Sequence, residues 1–295
     1  MAHKLILRGI ERFGPQLANS RKASVVLGTS QKISVDYCSL KDGSLRRDDE
    51  VIVLLAGFGS GWTGISKLGY GLAKLGHEVC MVSMPGYGNS DDPDRSYFEG
   101  GGFDQEVFVL KQFAQTVLPD KKIHWAGHSM AARIIVQLAA SFPLAVASLI
   151  LLNPAGFESR GMLGLGFRFV LNGMMHAASF RGDPVWTELK KFLPKEKSPF
   201  SSDRLRQRLS EWRRLCVGDG MDFMRKLPQD VQMAYISSER DFVFPSEKSA
   251  ILKYERRFIG HVRIINGLWH NTTMFGSDLT AKAIDEWLFP NVRRC

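Results

Sequence analysis

Ser129 is the residue whose sequence surroundings most clearly favour covalent chemistry. It lies in the stretch Ile123-His-Trp-Ala-Gly-His-Ser-Met-Ala131, where a buried strand is predicted to run into a helix. A turn this tight needs small residues two positions before and after the serine, and Gly127 and Ala131 meet that need. The turn raises the hydroxyl above the sheet at a helix N-terminus, where backbone N–H groups favour developing negative charge. The pattern predicts a nucleophilic serine, and the alternative is a serine that only caps the helix.

A nucleophilic serine needs a base and an acid that orients the base, and two later loops supply both. Asp241 and His270 each follow a predicted strand. They are therefore expected beyond the carboxyl ends of parallel strands, at the same edge as Ser129, where ligands bind in open sheets. Glu239 lies in the first of these loops and is the alternative to Asp241 as the acid.

The order of elements is what must bring these three loops together. Short apolar runs alternate with amphipathic stretches, which predicts βα units around a mostly parallel sheet. Residues 33–37 alternate between apolar and polar, which predicts an antiparallel edge before the buried strands. Helices are predicted over 103–118, with one apolar face, and over 129–140, apolar almost all round. The predicted buried strands are 51–55, 78–82, 123–126, 148–152, 231–236 and 262–265.

The alternation of strands and helices breaks between residues 156 and 230. This segment is rich in glycine and methionine and has no strand-like run. It predicts a helical cap, residues 156–230, inserted into a core formed by residues 1–155 and 231–295. Methionine side chains adapt to varied ligands, so we place Met174 and Met175 in a substrate pocket under the cap.

One part of the predicted cap, residues 203–214, combines basic and apolar residues. Leu205, Leu209 and Trp212 recur at helical spacing among the arginines. Because runs of charge usually mark a solvated face, we expect a helix that packs its apolar stripe on the core. Contact of this helix with an anionic membrane surface is the less favoured alternative.

The motifs of this chain resemble those of the α/β-hydrolase superfamily, in its esterase, lipase and carbon–carbon-bond hydrolase members. The resemblance extends over roughly residues 32–288. It implies a mostly parallel central sheet flanked by helices, with an inserted helical cap. The motifs that carry it are Ala56-Gly57-Phe58-Gly59, Pro85-Gly86-Tyr87-Gly88-Asn89-Ser90, the Ser129 turn, Asp241 with Pro245, and Gly267-Leu268-Trp269-His270.

The resemblance implies a catalytic triad. Ser129 attacks the substrate, His270 acts first as general base and then as general acid, and Asp241 orients the imidazole. Ala131 departs from the commoner glycine of the family, a difference of one methyl group. Superfamily members that open epoxides or remove halides carry aspartate at the nucleophile position, so Ser129 argues against those activities.

The resemblance also implies an oxyanion hole made of two backbone N–H groups. One belongs to Met130, directly after the serine, and the other to Phe58, with Gly59 as the alternative. The remaining walls of the predicted substrate pocket are Gly57, Gly59, His128 and Trp269.

These residues predict a serine hydrolase that cleaves a hydrophobic carboxylic ester through an acyl-enzyme. Carbon–carbon-bond hydrolysis, perhydrolysis and acyl transfer use the same triad and remain open, as does a non-catalytic ligand-binding protein. No cofactor or metal is expected, because no cluster of His, Asp, Glu and Cys has metal-ligand spacing. The glycine-rich stretch 56–61 lacks the Gly-Lys-Ser/Thr ending of a phosphate-binding loop.

Composition sets the broader class of protein. The 295 residues are 44% hydrophobic and 23% charged, typical of a globular chain, and carry a net charge of +9. The basic residues are dispersed among acidic ones, so no nucleic-acid partner is expected. The four cysteines share no C-x-x-C spacing, and the first residues contain too short an apolar run for a signal peptide. We therefore expect a cytoplasmic protein whose partner is a small hydrophobic ester or a related acyl compound.

Overall fold

In the computed structural model of the chain, the described residues are 11–27, 31–41, 47–98, 102–179, 183–198, 200–244, 261–268 and 270–290. Residues 173–179, 203 and 275 are described by their backbone alone. Eight strands of the described chain form one sheet, in the order β1-β2-β4-β3-β5-β6-β7-β8. The strands are β1 (Arg21–Val26), β2 (Lys32–Leu40), β3 (Glu50–Leu55), β4 (Val79–Val82), β5 (Lys122–His128), β6 (Ser148–Leu152), β7 (Gln232–Ser238) and β8 (Val262–Ile265).

The predicted, mostly parallel sheet is confirmed. All neighbouring strands from β4 to β8 are parallel, and β1 and β2 are antiparallel to their neighbours. The register brings Gly127 of β5 opposite Leu151, and Leu152 of β6 opposite Ile236 of β7. The carboxyl ends of these three strands therefore lie side by side at one edge of the sheet, and the loops that follow them are neighbours.

The antiparallel start of the sheet differs from the expectation in one respect. Residues 33–37 lie in β2, which is antiparallel as predicted but is not the edge strand. The edge is β1, where Ala23 and Val25 are buried and the other residues are exposed. Two buried side chains are too weak a pattern for a strand to be predicted from the sequence.

Helices cover both faces of the sheet. In β3, Val51, Val53 and Leu55 join a core with the helices over residues 104–117 and 130–141. The alternate residues Ile52 and Leu54 join a second core with the helices over residues 11–18, 66–74 and 277–288. The helices are α1 (11–18), α2 (Ser66–Lys74), α3 (Asp104–Val117), α4 (Met130–Ser141), α5 (Met162–Ser179), α6 (Pro184–Leu189), α7 (Ser202–Val217), α8 (Gly220–Lys226), α9 (Thr272–Phe275) and α10 (Ser277–Leu288).

The insertion between β6 and β7 contains helices α5 to α8 and, within the described residues, no strand. Among the helices of the described chain, none is both long and apolar enough to cross a bilayer. The apolar stripe predicted for α7 is confirmed for Trp212, which packs on the core, and is wrong for Leu205 and Leu209. Leu205 and Leu209 are 50% and 48% exposed, whereas Arg204, Arg208 and Arg214 are buried.

Buried acidic and aromatic partners explain why α7 turns its charges inward. Arg214 forms two bonds, of 2.7 and 3.1 Å, with the Glu106 carboxylate of α3. Arg208 lies 3.6 Å above the ring of Tyr87 and 2.8 Å from Glu211, which accepts a hydrogen bond from the Tyr87 hydroxyl. Burial raises the pKa of Glu211 to about 7, against the opposing charge of Arg208. Glu106 and Tyr87 lie more than a hundred residues away in the sequence, so the local pattern of α7 does not reveal them.

Replacing Arg214 with alanine should lower the free energy of unfolding by about 3 to 5 kcal/mol, because Glu106 would remain buried without its counter-charge. The neighbouring Arg213 is exposed, so Arg213→Ala is the matched control and should change the value by less than about 0.5 kcal/mol. Urea unfolding of both variants measures the difference. Equal losses in the two variants would contradict the inward orientation of α7.

Candidate active site

Ser129 lies in the turn between β5 and α4 with φ 55° and ψ −119°, a positive φ that is strained for a serine. Its backbone is fixed on both sides. The N–H group donates to Leu152 O at 2.9 Å, and the carbonyl accepts from Ala132 N at 3.0 Å and Ala155 N at 3.1 Å. A Cβ at Gly127 would lie 2.6 Å from the backbone of Ala131, so the strand and the helix approach this closely only because that position has no side chain.

The structure brings the three residues of the predicted triad together in one hydrogen-bonded chain. His270 Nε2 lies 2.9 Å from Ser129 Oγ, and His270 Nδ1 lies 2.8 Å from Asp241 Oδ2. All three side chains are buried. The arrangement allows the imidazole to take a proton from the serine while the carboxylate stabilises the charge that forms.

Asp241, and not Glu239, is the carboxylate that contacts His270. Asp241 Oδ1 accepts hydrogen bonds from Val243 N at 3.0 Å and Phe244 N at 3.1 Å, which aim its other oxygen at His270. Burial pushes the pKa of Asp241 up, but the charge and hydrogen bond of His270 and the two N–H groups outweigh this effect and lower the pKa. Glu239 instead accepts a hydrogen bond from the backbone of Gly267 at an exposed position.

Two side chains that the sequence analysis did not assign to this role hold the loop of His270. Asn153 Nδ2 donates to His270 O at 2.7 Å, and His128 Nε2 lies 3.0 Å from the same oxygen. Asn153 also donates to Ser238 Oγ at 2.8 Å and accepts from Ser238 N at 3.0 Å, which ties β6 to β7. Its φ of 41° is one that asparagine tolerates. The signal in the sequence was a polar residue directly after a buried strand, at the edge where the other site residues lie.

A cavity of about 250 Å³ lies beside the Ser129 hydroxyl. Its described lining is uncharged apart from two histidines. The lining residues are Ala56, Gly57, Phe58, Gly59, Ser60, Gly64, Ile65, His128, Ser129, Phe169, His270, Asn271, Thr273 and Met274.

Aromatic side chains from the core and the insertion form one wall of this cavity. The ring of Phe169 of α5 lies 6.0 Å from Phe58, 6.2 Å from His270 and 5.9 Å from Phe244, measured between ring centroids. Trp212 of α7 packs behind it, 4.9 Å from Phe169 and 5.3 Å from Phe58. The wall therefore depends on how the insertion sits on the core.

The residues predicted for the oxyanion hole and the pocket occupy three kinds of position. Phe58 and Gly59 line the cavity, and Met130 follows Ser129 as the first residue of α4. A Cβ at Gly57 would lie 2.9 Å from Ser129 Cβ, so this loop passes directly against the serine. The side chains of Met174 and Met175, which lie in α5, and the whole of Trp269 fall outside the described residues.

Comparison with known proteins identifies the class. A family model for the alpha/beta hydrolase fold matches residues 50–231, and the chain belongs to this family of hydrolases. It is 31% identical over 184 residues to a 2-hydroxy-6-oxononadienedioate/2-hydroxy-6-oxononatrienedioate hydrolase of Paraburkholderia phymatum. The aligned residues make up 60% of this chain and 58% of the relative. A protein of the same name from Escherichia coli O81 is 34% identical over 108 residues, 36% of each chain. The matches thus cover less than two thirds of these relatives.

Among solved structures, a thioesterase domain from the curacin biosynthetic pathway is similar in fold, with a TM-score of 0.65. It is 13% identical, and the alignment covers 90% of this chain and 99% of that one. At this identity the likeness concerns the fold alone.

Replacing Asn153 with glycine should slow the reaction of Ser129 with a fluorophosphonate by about tenfold to a hundredfold, because His270 loses a bond that fixes its position. Glycine keeps the positive φ without strain, and the substitution removes the side-chain bonds to both His270 and Ser238. The second-order rate constant of labelling measures the effect. Ser238→Ala is the control, since it removes the hydroxyl acceptor and leaves the bond to His270 intact. Equal losses in both variants would argue against the positioning role.

Proposed function

We propose that this hydrolase cleaves a hydrophobic carboxylic ester through an acyl-enzyme on Ser129. The observation that carries the proposal is the hydrogen-bonded chain from Ser129 through His270 to Asp241, placed beside an aromatic-walled cavity. The family and its hydrolase-named relatives support hydrolysis in general and do not favour an ester over other bonds.

The distances describe how each step would proceed. His270 Nε2 accepts the Ser129 proton as Oγ attacks the ester carbonyl, and the imidazolium then returns that proton to the leaving alcohol. Water then loses a proton to the same nitrogen as it attacks the acyl carbon, and the imidazolium gives that proton to Ser129 Oγ as the bond to the acyl group breaks and the carboxylic acid leaves. Asp241 stays ionised throughout, which its lowered pKa favours, and stabilises the imidazolium each time that it forms.

The carbonyl oxygen becomes negatively charged when Ser129 attacks, and hydrogen-bond donors that are already in position must stabilise that charge. We assign them to the backbone N–H groups of Met130 and Phe58, with Gly59 as the alternative to Phe58. The position of Phe58 at the cavity and of Met130 at the start of α4 supports this assignment. Gly57 supports it indirectly, because its lack of a side chain lets the loop lie against Ser129.

The cavity favours a neutral substrate. Its described walls combine apolar and aromatic residues with uncharged polar ones such as Asn271 and Thr273, and among its described side chains only His128 and His270 can carry a positive charge. A carboxylate buried there without a positive partner would be costly. We assign residues 156–230 as a cap whose Phe169 closes the cavity over the acyl group, which fits a hydrophobic acyl chain.

Carbon–carbon-bond hydrolysis is the second candidate, because the two relatives named above are dienedioate hydrolases. Their substrates, as named, carry two carboxylates. The uncharged lining of this cavity is a poor match for such a dianion, and this difference ranks the ester first.

Ser129→Ala should reduce kcat for p-nitrophenyl esters by about 10³-fold or more while the fold is retained. Ser141→Ala, at the other end of α4, is the control and should keep wild-type turnover. Assays of the wild type with p-nitrophenyl esters and with 2-hydroxy-6-oxononadienedioate rank the two candidates. A higher kcat/KM for the dienedioate than for the esters would favour carbon–carbon-bond hydrolysis as the function. Full ester turnover by Ser129→Ala would contradict Ser129 as the nucleophile.

Activity should rise with pH. The imidazole must be neutral to accept the serine proton, so kcat/KM should increase between about pH 5 and pH 8, where histidine side chains change charge. Asp241 does not contribute to this rise, because its pKa is lowered and it is already ionised over this range. A pH profile of kcat/KM measures the dependence. An activity that is constant over the range would contradict a histidine base.

A further inference from the structure

The outer face of helix α5 is apolar and exposed to solvent. Leu163, Phe167 and Val170 recur at steps of four and three residues, on one side of the helix, and are 92%, 71% and 64% exposed. The opposite side carries Leu165, which is buried, and Phe169, which lines the cavity. The helix therefore has an apolar face that no described part of the chain covers, in addition to the face that covers the site.

Helix α7, beside α5, adds two exposed leucines. Trp212 of α7 packs on Phe169 of α5, so the two helices are neighbours. Leu205 and Leu209 are about half exposed and lie at positions i−7 and i−3 from Trp212, on the same side of α7. Scattered exposed apolar residues are ordinary, whereas a group of large ones on adjoining helices marks a binding surface. We call Leu163, Phe167, Val170, Leu205 and Leu209 the cap surface.

Positive charge borders the cap surface. Among the described side chains of α7, the charged ones that are exposed are Arg206 and Arg213, since Glu211 is buried. The segment 156–230 has fourteen Lys and Arg residues and nine Asp and Glu residues, a net charge of +5 out of +9 for the chain. A large apolar face with a basic border matches the surface of an anionic bilayer, where acyl chains lie beneath negative headgroups.

We propose that the cap surface docks on membranes that contain anionic phospholipids. A second copy of the chain fits less well, because a symmetric contact would bring two surfaces of the same positive charge together. In the docked state Leu163, Phe167 and Val170 enter the headgroup region, and Arg206 and Arg213 contact lipid phosphates. The cavity lies on the other side of α5, so docking leaves the contacts among Ser129, His270 and Asp241 in place.

Co-sedimentation of the full chain with lipid vesicles tests the proposal. The Ser129→Ala background prevents hydrolysis of the lipid, and the vesicles are phosphatidylcholine with or without phosphatidylglycerol. We expect binding to the anionic vesicles and much weaker binding to pure phosphatidylcholine. The triple variant Leu163→Ser, Phe167→Ser, Val170→Ser should reduce partitioning onto anionic vesicles by about tenfold or more, and Arg206→Gln with Arg213→Gln should do the same.

Matched controls distinguish binding by the cap surface from nonspecific hydrophobic adsorption and from an effect of net charge. Leu144→Ser with Leu279→Ser removes two exposed leucines outside the insertion. Lys282→Gln with Arg263→Gln removes two positive charges from exposed residues on α10 and β8. Both controls should partition like the parent. The proposal is overturned if the parent does not bind anionic vesicles. It is also overturned if a control pair loses as much binding as the cap-surface variants, or if the triple variant still binds like the parent.

Two further measurements keep the outcome independent of the proposed function. Fluorophosphonate labelling of the same substitutions on the wild-type background should proceed at the parent rate, because none of these residues lines the cavity. It also shows that each variant is folded. Analytical ultracentrifugation without lipid completes the test. A dimer that the triple variant abolishes, together with no vesicle binding, would assign the cap surface to a second copy and overturn the membrane proposal.

Discussion

The close approach of β5 and α4 at Gly127 is the constraint on which the site depends. A Cβ at this position would collide with the backbone of Ala131, so glycine permits the turn that holds Ser129 at a positive φ. The hydrogen bonds that Ser129 donates to Leu152 O and accepts from Ala155 N hold the backbone at that strained φ. The turn therefore fixes the hydroxyl relative to the ends of β5 and β6 at once.

The register of the parallel strands then determines which loops meet the hydroxyl. β6 supplies Asn153, β7 leads to Asp241, and the chain after β8 supplies His270. Asn153 bonds the backbone of His270 and of Ser238, so a single buried side chain connects three of these loops. The position of His270 depends on this connection as well as on Asp241, because its carbonyl and its ring are held by different partners.

Buried charged residues help to attach the insertion to the core, beside buried apolar residues such as Leu165 and Leu215. Arg214 pairs with Glu106 of α3, and Arg208 stacks on Tyr87. These contacts hold α7 with Leu205 and Leu209 outward, and α7 in turn places Trp212 behind Phe169. The aromatic wall of the cavity and the exposure of these two leucines are thus two consequences of one orientation, that of α7.

The sequence by itself determined the order of strands and helices, the turn at Ser129 and the positions of Asp241 and His270, because these depend on local patterns and on where strands end. The predicted bounds of β6 and β8 agree with the structure, and those of the buried helix 129–140 differ by one residue. Only the tertiary structure showed that Asp241 and not Glu239 bonds His270, since the Val243 and Phe244 N–H groups aim the Asp241 carboxylate at the imidazole. It also decided the orientation of α7, because Glu106 and Tyr87 are more than a hundred residues away. A hydrophobic pattern predicts which face of an isolated helix avoids water. It contains no information about charged partners that are distant in the sequence and become buried against the helix.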